Sequence, residues 1–151
     1  MQLDIPFPLL TDSYKTSHFK LYPAAQKMVA YGEFRGPYNK DQSDTRILFY
    51  GMRYIIENYI SRKYTLKDVS DAALFFKTHN AGATEFPFPE ALFLKFVKEN
   101  DGYFPVKIQA LPEGSVIYPH VPVFQITAEN EYSLLITYLE TLLTMIWVWR
   151  F

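Results

Sequence analysis

The stretch LLITYLETLLTMIWVW, residues 134–149, does most to limit what this chain can fold into. So many apolar side chains must be covered by lipid, by a core or by another polypeptide. The run is shorter than a membrane span and carries Glu140 in its interior, whereas a spanning helix needs about 20 predominantly apolar residues. A core or interface helix over residues 132–149 is therefore expected. The chain stops at Arg150 and Phe151, with no Gly cap, breaker or polar tail after the run. Helices usually end on such signals, so a chain cut short is the expectation. Phe93, Trp147 and Trp149 are then among the apolar groups expected to lack partners, and a patch of that kind favours self-association.

The remaining sequence can supply a core. Of its 151 residues 49% are hydrophobic and 18% aromatic, which suits one domain, residues 1–151, truncated at its C-terminal end. A formal charge of −1 gives no field to attract nucleic acid or an anionic membrane. The absence of cysteine excludes a disulfide framework, a thiol nucleophile and a thiolate metal site. The first residues lack the basic and apolar regions of a secretory signal, so a cytoplasmic setting is expected.

Residues 9–22 read as a helix, with Thr11, Asp12 or Ser13 able to cap it. Residues 28–34 alternate as a strand ended by Gly36 and Pro37, and residues 39–45 form an exposed loop. ILFY is a short buried strand. Gly51 then introduces a helix with Met52, Ile55, Ile56, Tyr59 and Ile60 on one face. Thr65 and Asp68 form a capping-box pattern for the next helix, whose stripe is Leu66, Val69, Ala72, Ala73 and Phe76. Pro89 suits the first turn of another, with Leu92, Phe93, Phe96 and Val97 inward and a stop at Asp101 and Gly102. Val106, Ile108 and Ala110 alternate with Lys107 and Gln109 as one buried and one wet face. A turn at residues 112–114 leads to SVIY and VFQIT, which continue the sheet, and Pro119 and Pro122 push that region toward a sheet edge or a bent connection. Strands and helices cluster without a βαβ rhythm. The expected class is α+β, a mixed or antiparallel sheet with flanking helices.

No complete catalytic centre is spelled out. The six glycines are scattered, so no Gly-rich loop can wrap a phosphate. His18, His79 and His120 show no metal-ligand spacing, and no serine sits in a nucleophile elbow. The stretch TDSYKTSHFKLYP is the informative one. On a helix Tyr14, His18 and Tyr22 stack along one side, with Lys15 and Phe19 on an adjacent strip. These residues can be structural: Asp12 a cap, the tyrosines core-edge packing, His18 bonded to a neighbour. They can also present a ring and charges to a ligand, but from residue types alone the structural reading is the expected one, since amphipathic rings usually cover core edges. Arg35 has the same two readings, a solvated charge or a bidentate phosphate clamp.

The segments TDSYKTSHFKLYP, AYGEFR, LFYGMRYII, NDGYFPVKIQALPEGSVI and YLETLLTMIW occur here in the order and spacing of one family. Over residues 9–147 the chain resembles the N-terminal part of the nicotinamide phosphoribosyltransferases. The resemblance implies a type II phosphoribosyltransferase N-terminal domain without its α/β barrel. It also implies a homodimer in which this domain reaches into the partner's active site. Nicotinamide there displaces pyrophosphate from phosphoribosyl pyrophosphate, with magnesium and optional ATP coupling, to make nicotinamide mononucleotide for NAD salvage. By position, Tyr14 matches the tyrosine that stacks on the nicotinamide, Asp12 the acidic residue beside the base, and Arg35 a phosphate-contacting arginine. Lys15 and His18 match in place and are given supporting roles. The tail, residues 148–151, departs from the family's continuation, and the barrel carries most of the active site. The chain alone is therefore expected to bind no cofactor and to be inactive. The rival expectations are a non-catalytic dimerisation or interaction module and a piece of a nicotinate-using relative.

Overall fold

The computed structural model describes residues 5–22, 27–36, 44–79, 84–146 and 148–149. In chain order the elements begin with two 3-10 helices, Phe7–Leu9 and Ser13–Lys20. Next come β1 (Lys27–Glu33), β2 (Ile47–Phe49) and α1 (Met52–Ile55), which runs on as a π-helical turn over Ile56–Ile60. There follow α2 (Leu66–Thr78), α3 (Glu90–Glu99), β3 (Lys107–Ala110), β4 (Val116–Ile117) and β5 (Pro122–Glu129). A 3-10 helix over Asn130–Leu135 then leads into α4 (Ile136–Leu143), and β6 (Val148–Trp149) comes last.

The class is α+β, with no closed barrel among the described residues. Where one continuous sheet is expected, two form, in the orders β1-β5-β3 and β4-β2-β6, and every strand pair is antiparallel. β5 is a central strand rather than an edge, and the bent connection that the prolines equally suggest is present: Pro119 and His120 form a turn before β5, with His120 at a φ of 64°. Pro122 is the first residue of β5 and lies opposite Glu33, where the β1–β5 register shifts, so its missing N–H breaks no inner rung. Along β5, Phe124, Ile126 and Ala128 point inward while Gln125 and Glu129 face solvent. β3 departs from the expected alternation: Ile108 is half-buried and Ala110 is exposed, at the sheet's short edge.

The apolar run does become core, but not as one long helix. Ile136, Tyr138, Leu139, Leu142 and Leu143 are fully or almost fully buried in α4. The helix ends at Leu143 on a tightening turn, in which Met145 N–H donates to Leu142 O at 3.1 Å. Val148 and Trp149 then pair with β2, where β-branched and aromatic residues suit a strand. Trp147 lies outside the described residues, as do positions 39–43 of the expected loop and the Trp149 side chain. Phe93 is 0% exposed, which overturns its place among unpartnered groups. Its ring centroid lies 4.9 Å from Phe88, 5.0 Å from Tyr138 and 5.5 Å from Phe96.

Local signals hold where they are self-contained. The Thr65–Asp68 capping box is present in both directions, and Val69, Ala72 and Phe76 are buried below it. Leu66 is the exception, exposed at the first turn. Asp101 and Gly102 take positive φ values of 51° and 80° after α3, and Gly102 N–H closes on Val97 O at 2.9 Å. Glu113, in the turn before β4, accepts from the backbone N–H groups of Gly51 (3.0 Å) and Arg53 (2.9 Å). A carboxylate there satisfies orphan amides at the entry of α1.

Candidate functional site

The candidate site grows from the Ser13–Lys20 helix, which is 3-10 rather than the expected α-helix. Its hydroxyls tighten it: Thr16 Oγ1 donates to Ser13 O and Ser17 Oγ to Tyr14 O, both at 2.7 Å. Lys15 N–H donates to Asp12 O at 2.9 Å, again an i to i−3 closure. Its buried residues are Lys15 and Thr16, so apolar burial does not hold this helix.

Polar side chains of α4 do. Thr137, Glu140 and Thr141 share one face of α4 at three-and-four spacing. Thr137 Oγ1 lies 2.9 Å from His18 Nδ1, Glu140 Oε2 accepts from Lys15 Nζ at 2.7 Å, and Thr141 Oγ1 donates to Asp12 Oδ2 at 3.0 Å. Having one proton, the Thr141 hydroxyl must accept from Thr11 Oγ1 at 3.3 Å. Beneath them the Tyr138 hydroxyl donates to Thr16 O at 3.1 Å. Burial pushes the Tyr138 phenol well above its ordinary value, so it remains a donor across the physiological range. From α2, His79 Nε2 lies 3.0 Å from Ser13 Oγ while its ring stacks on Phe75 at 4.5 Å.

This scaffold leaves Tyr14 outside. The residue is 58% exposed and its ring meets His18 edge-on at 5.4 Å, and His18 in turn meets Tyr22 at 5.7 Å. The expected column of rings is therefore real. Asp12 occupies the N-cap position yet makes no side-chain cap bond. Its carboxylate is turned toward Thr141, which removes the capping reading and leaves Oδ1 unengaged among the described residues. Arg35 is exposed, two residues beyond the end of β1. Its neighbourhood is fixed by His120, whose N–H donates to Phe34 O at 2.8 Å and whose Nδ1 lies 3.0 Å from Glu33 Oε1. Among the described residues Arg35 has no carboxylate partner, and no hydrogen bond or ring contact joins it to Tyr14. Asp12 and Tyr14 stand two residues apart at the start of the Ser13–Lys20 helix, and Arg35 belongs to a separate segment, after β1.

Thr137, Glu140 and Thr141 are the positioning residues that sequence reasoning missed. The available signal was Glu140 itself, an acid inside an apolar run. A groove of about 630 Å³ lies over the β1-β5-β3 sheet, beside Lys27, Val29, Lys107 and Tyr132, and does not include Asp12, Tyr14 or Arg35. The site can stack a flat ring and offer charges.

Residues 6–108 match the family model described as nicotinamide phosphoribosyltransferase, N-terminal domain. The nicotinamide phosphoribosyltransferase of Xanthomonas campestris pv. campestris (strain 8004) is 34% identical over 141 residues, covering 92% of this chain and 28% of the relative. That of Acinetobacter baylyi (strain ATCC 33305 / BD413 / ADP1) is 28% identical over 148 residues, 88% of this chain and 28% of the relative. The chain thus spans little more than a quarter of these curated relatives. A crystal structure of human nicotinic acid phosphoribosyltransferase superposes with a TM-score of 0.50 at 23% identity, over 92% of this chain and 25% of that one, a likeness of fold.

Proposed function

The chain belongs to the nicotinamide phosphoribosyltransferase N-terminal domain family, and on that footing we propose that it supplies one wall of a base and phosphate site completed by a partner polypeptide. The observation that carries this reading is the contrast at residues 14 and 15. Lys15 is buried and ion-paired, whereas the adjacent Tyr14 is 58% exposed on a helix that four α4 side chains hold still. A ring fixed from behind and open in front suits stacking on a flat pyridine base.

In this reading Tyr14 stacks on nicotinamide, Asp12 Oδ1 sits beside the base, and Arg35 clamps a phosphate of phosphoribosyl pyrophosphate. Tyr14 and Arg35 need not touch each other: in a homodimer both can line the active site of the neighbouring subunit, one against the base and the other against a phosphate. Residues 1–151 act as one domain, at work in the cytoplasm. The reaction of the complete assembly is transfer of the phosphoribosyl group to nicotinamide with loss of pyrophosphate. Stacking holds the base in line and the guanidinium fork stabilises departing charge. Among the described residues no three His, Asp or Glu side chains converge to hold a metal ion by themselves; magnesium in such a reaction would be held chiefly by pyrophosphate oxygens and water, with one or two carboxylates from the complete assembly. Catalysis requires about 8–23 kcal/mol of barrier lowering, beyond what one ring and one cation supply. Alone the chain is inactive.

The test is a chimera carrying this domain on the remaining length of the Xanthomonas relative, assayed for nicotinamide mononucleotide. Tyr14→Ala should raise the KM for nicotinamide roughly 3–10-fold, the worth of one stacking contact. Arg35→Ala should raise the KM for phosphoribosyl pyrophosphate about 10–100-fold, the worth of charged hydrogen bonds. Unchanged KM values in both variants would sink the reading. Turnover by the unfused chain would overturn its inactivity.

A further inference from the structure

His120 is an unusual residue for its place. It holds a φ of 64° in the turn before β5, left-handed backbone that glycine or asparagine adopts more readily. Its N–H donates to Phe34 O at 2.8 Å, a bond that a glycine would make equally well. Packing does not offset the strain, since 65% of the side chain is exposed in this chain. Among the described residues the ring has one polar partner, Glu33, whose Oε1 lies 3.0 Å from Nδ1. A carboxylate oxygen accepts, so Nδ1 carries the proton. Strain that persists for a single side-chain contact marks that contact as having a task.

The task concerns Arg35. Glu33 closes β1, and the burial pattern of the strand continues past it: Glu33 and Arg35 are exposed, and Phe34 between them is half-buried. Residues two apart on extended backbone share a face at a separation of about 6–7 Å, a span that a glutamate and an arginine side chain close together. An unengaged Glu33 is thus a ready partner for the Arg35 guanidinium, which has no carboxylate partner among the described residues. The β1–β5 register shifts between Gly32 and Glu33 and sets Glu33 opposite Pro122, two residues from His120. Strand end, register shift and left-handed turn together bring the imidazole to the carboxylate.

We propose that His120 is a positioning residue for phosphate binding: by holding Glu33 it keeps that carboxylate from pairing with Arg35 and leaves the guanidinium fork open to a phosphate. The inference rests on the reading of Arg35 as a phosphate ligand and adds a residue that acts through it. An arginine paired with a carboxylate of its own chain has donors occupied, and a phosphate must displace that partner before it binds. His120 removes the competitor in advance.

His120→Gly is the informative variant, because it suits the left-handed turn and keeps the N–H bond to Phe34 but cannot hold Glu33. In the chain itself, the Arg35 Nε–H resonance should shift and exchange more slowly with water in His120→Gly, and adding Glu33→Ala should return it. In the chimera with the Xanthomonas relative, His120→Gly should raise the KM for phosphoribosyl pyrophosphate about 3–5-fold, the competition of one exposed ion pair. The kcat and the KM for nicotinamide should stay as they were. Adding Glu33→Ala should bring the KM back. His120→Asn should leave it near its starting value, since asparagine tolerates this backbone and its Nδ2 stands as many bonds from Cα as the histidine Nδ1. Three results would each overturn the proposal: an unmoved Arg35 signal and KM in His120→Gly, a KM rise that Glu33→Ala does not reverse, or a loss of kcat and urea midpoint with it, which would make His120 a prop for the turn. Arg35→Ala separates the two failures. If it raises the KM while His120→Gly does not, only the positioning role falls; if neither does, the ligand reading of Arg35 falls with it.

Discussion

Lys15 is 9% exposed and held by one carboxylate, Glu140 Oε2, at 2.7 Å. A buried ammonium without a partner is costly, so this pair has to form as the Ser13–Lys20 helix docks on α4. Glu140 keeps 34% of its side-chain surface in water, which screens the pair. Lys15→Met should therefore cost about 1–2 kcal/mol, the lower part of the range for charged hydrogen bonds. Replacing both partners, Lys15→Met with Glu140→Leu, should recover most of that loss, because no charge is then left orphaned. Tyr14→Ala, one position away, should move stability by less than about 0.5 kcal/mol. Urea unfolding of the four proteins, read as midpoint shifts at constant slope, checks all three statements. A large loss in Tyr14→Ala would mean that the ring supports the fold rather than a ligand.

Gly32 shows what an element can impose on a single position. It pairs with Phe124 across β1 and β5, and a Cβ built on it would lie 2.2 Å from the Phe124 ring. The ring fills the space that a side chain at position 32 would need. Gly32→Ala should destabilise by about 1–3 kcal/mol through overpacking, and adding Phe124→Leu should relieve part of it, measurable as a non-additive double-mutant cycle in urea. That contact shows the boundary of what the sequence could reveal. Features carried by neighbours along the chain were legible: the Thr65–Asp68 box, the Asp101–Gly102 stop, the inward stripes of α2 and α3, and the Tyr14, His18 and Tyr22 column. Features set by distant partners were not. Which strand joins which sheet is decided by pairing across long separations, so the central place of β5 and the split into two sheets could not be read from alternation. The capture of Val148 and Trp149 by β2 ended an apolar pattern that locally reads as helix. At the candidate site the ring and the acid were visible, but the face of α4 that anchors them was hidden. Polar residues in an apolar run do not announce what packs against them.

At the scale of the whole molecule, one tyrosine links the candidate site to the core. The Tyr138 ring packs 5.0 Å from Phe93, and its hydroxyl holds Thr16 of the Ser13–Lys20 helix. Burial pushes Tyr138 and Tyr64 upward, and burial followed by the Glu99 hydrogen bond pushes Tyr132 up to about 12. All three shifts run in one direction, above the value of about 10 expected in an unfolded chain. Below pH 10 both states keep these protons and stability is full. As pH rises from about 10 toward 12, the unfolded chain releases protons that the native state retains, so the native state loses ground. Each retained proton contributes about 1.4 kcal/mol per pH unit once the unfolded phenol is fully ionised. Lys63 and Lys95, raised by Asp101 and Glu131, act with the same sign, but these are exposed pairs that salt screens. Tyr138→Phe separates the contributions. At neutral pH it should cost about 0.5–1.5 kcal/mol, because the buried hydrogen bond from the Tyr138 hydroxyl to Thr16 O is lost. Between pH 10 and 11 its stability should fall less steeply than that of the unmodified chain, since one of the phenols held above its ordinary value no longer titrates. Urea midpoints in high salt at pH 8, 9.5, 10.5 and 11 give both quantities. Parallel curves for the two proteins would mean that the Tyr138 hydroxyl reaches water in the native state, and the link from the core to the Tyr14 helix would then be absent.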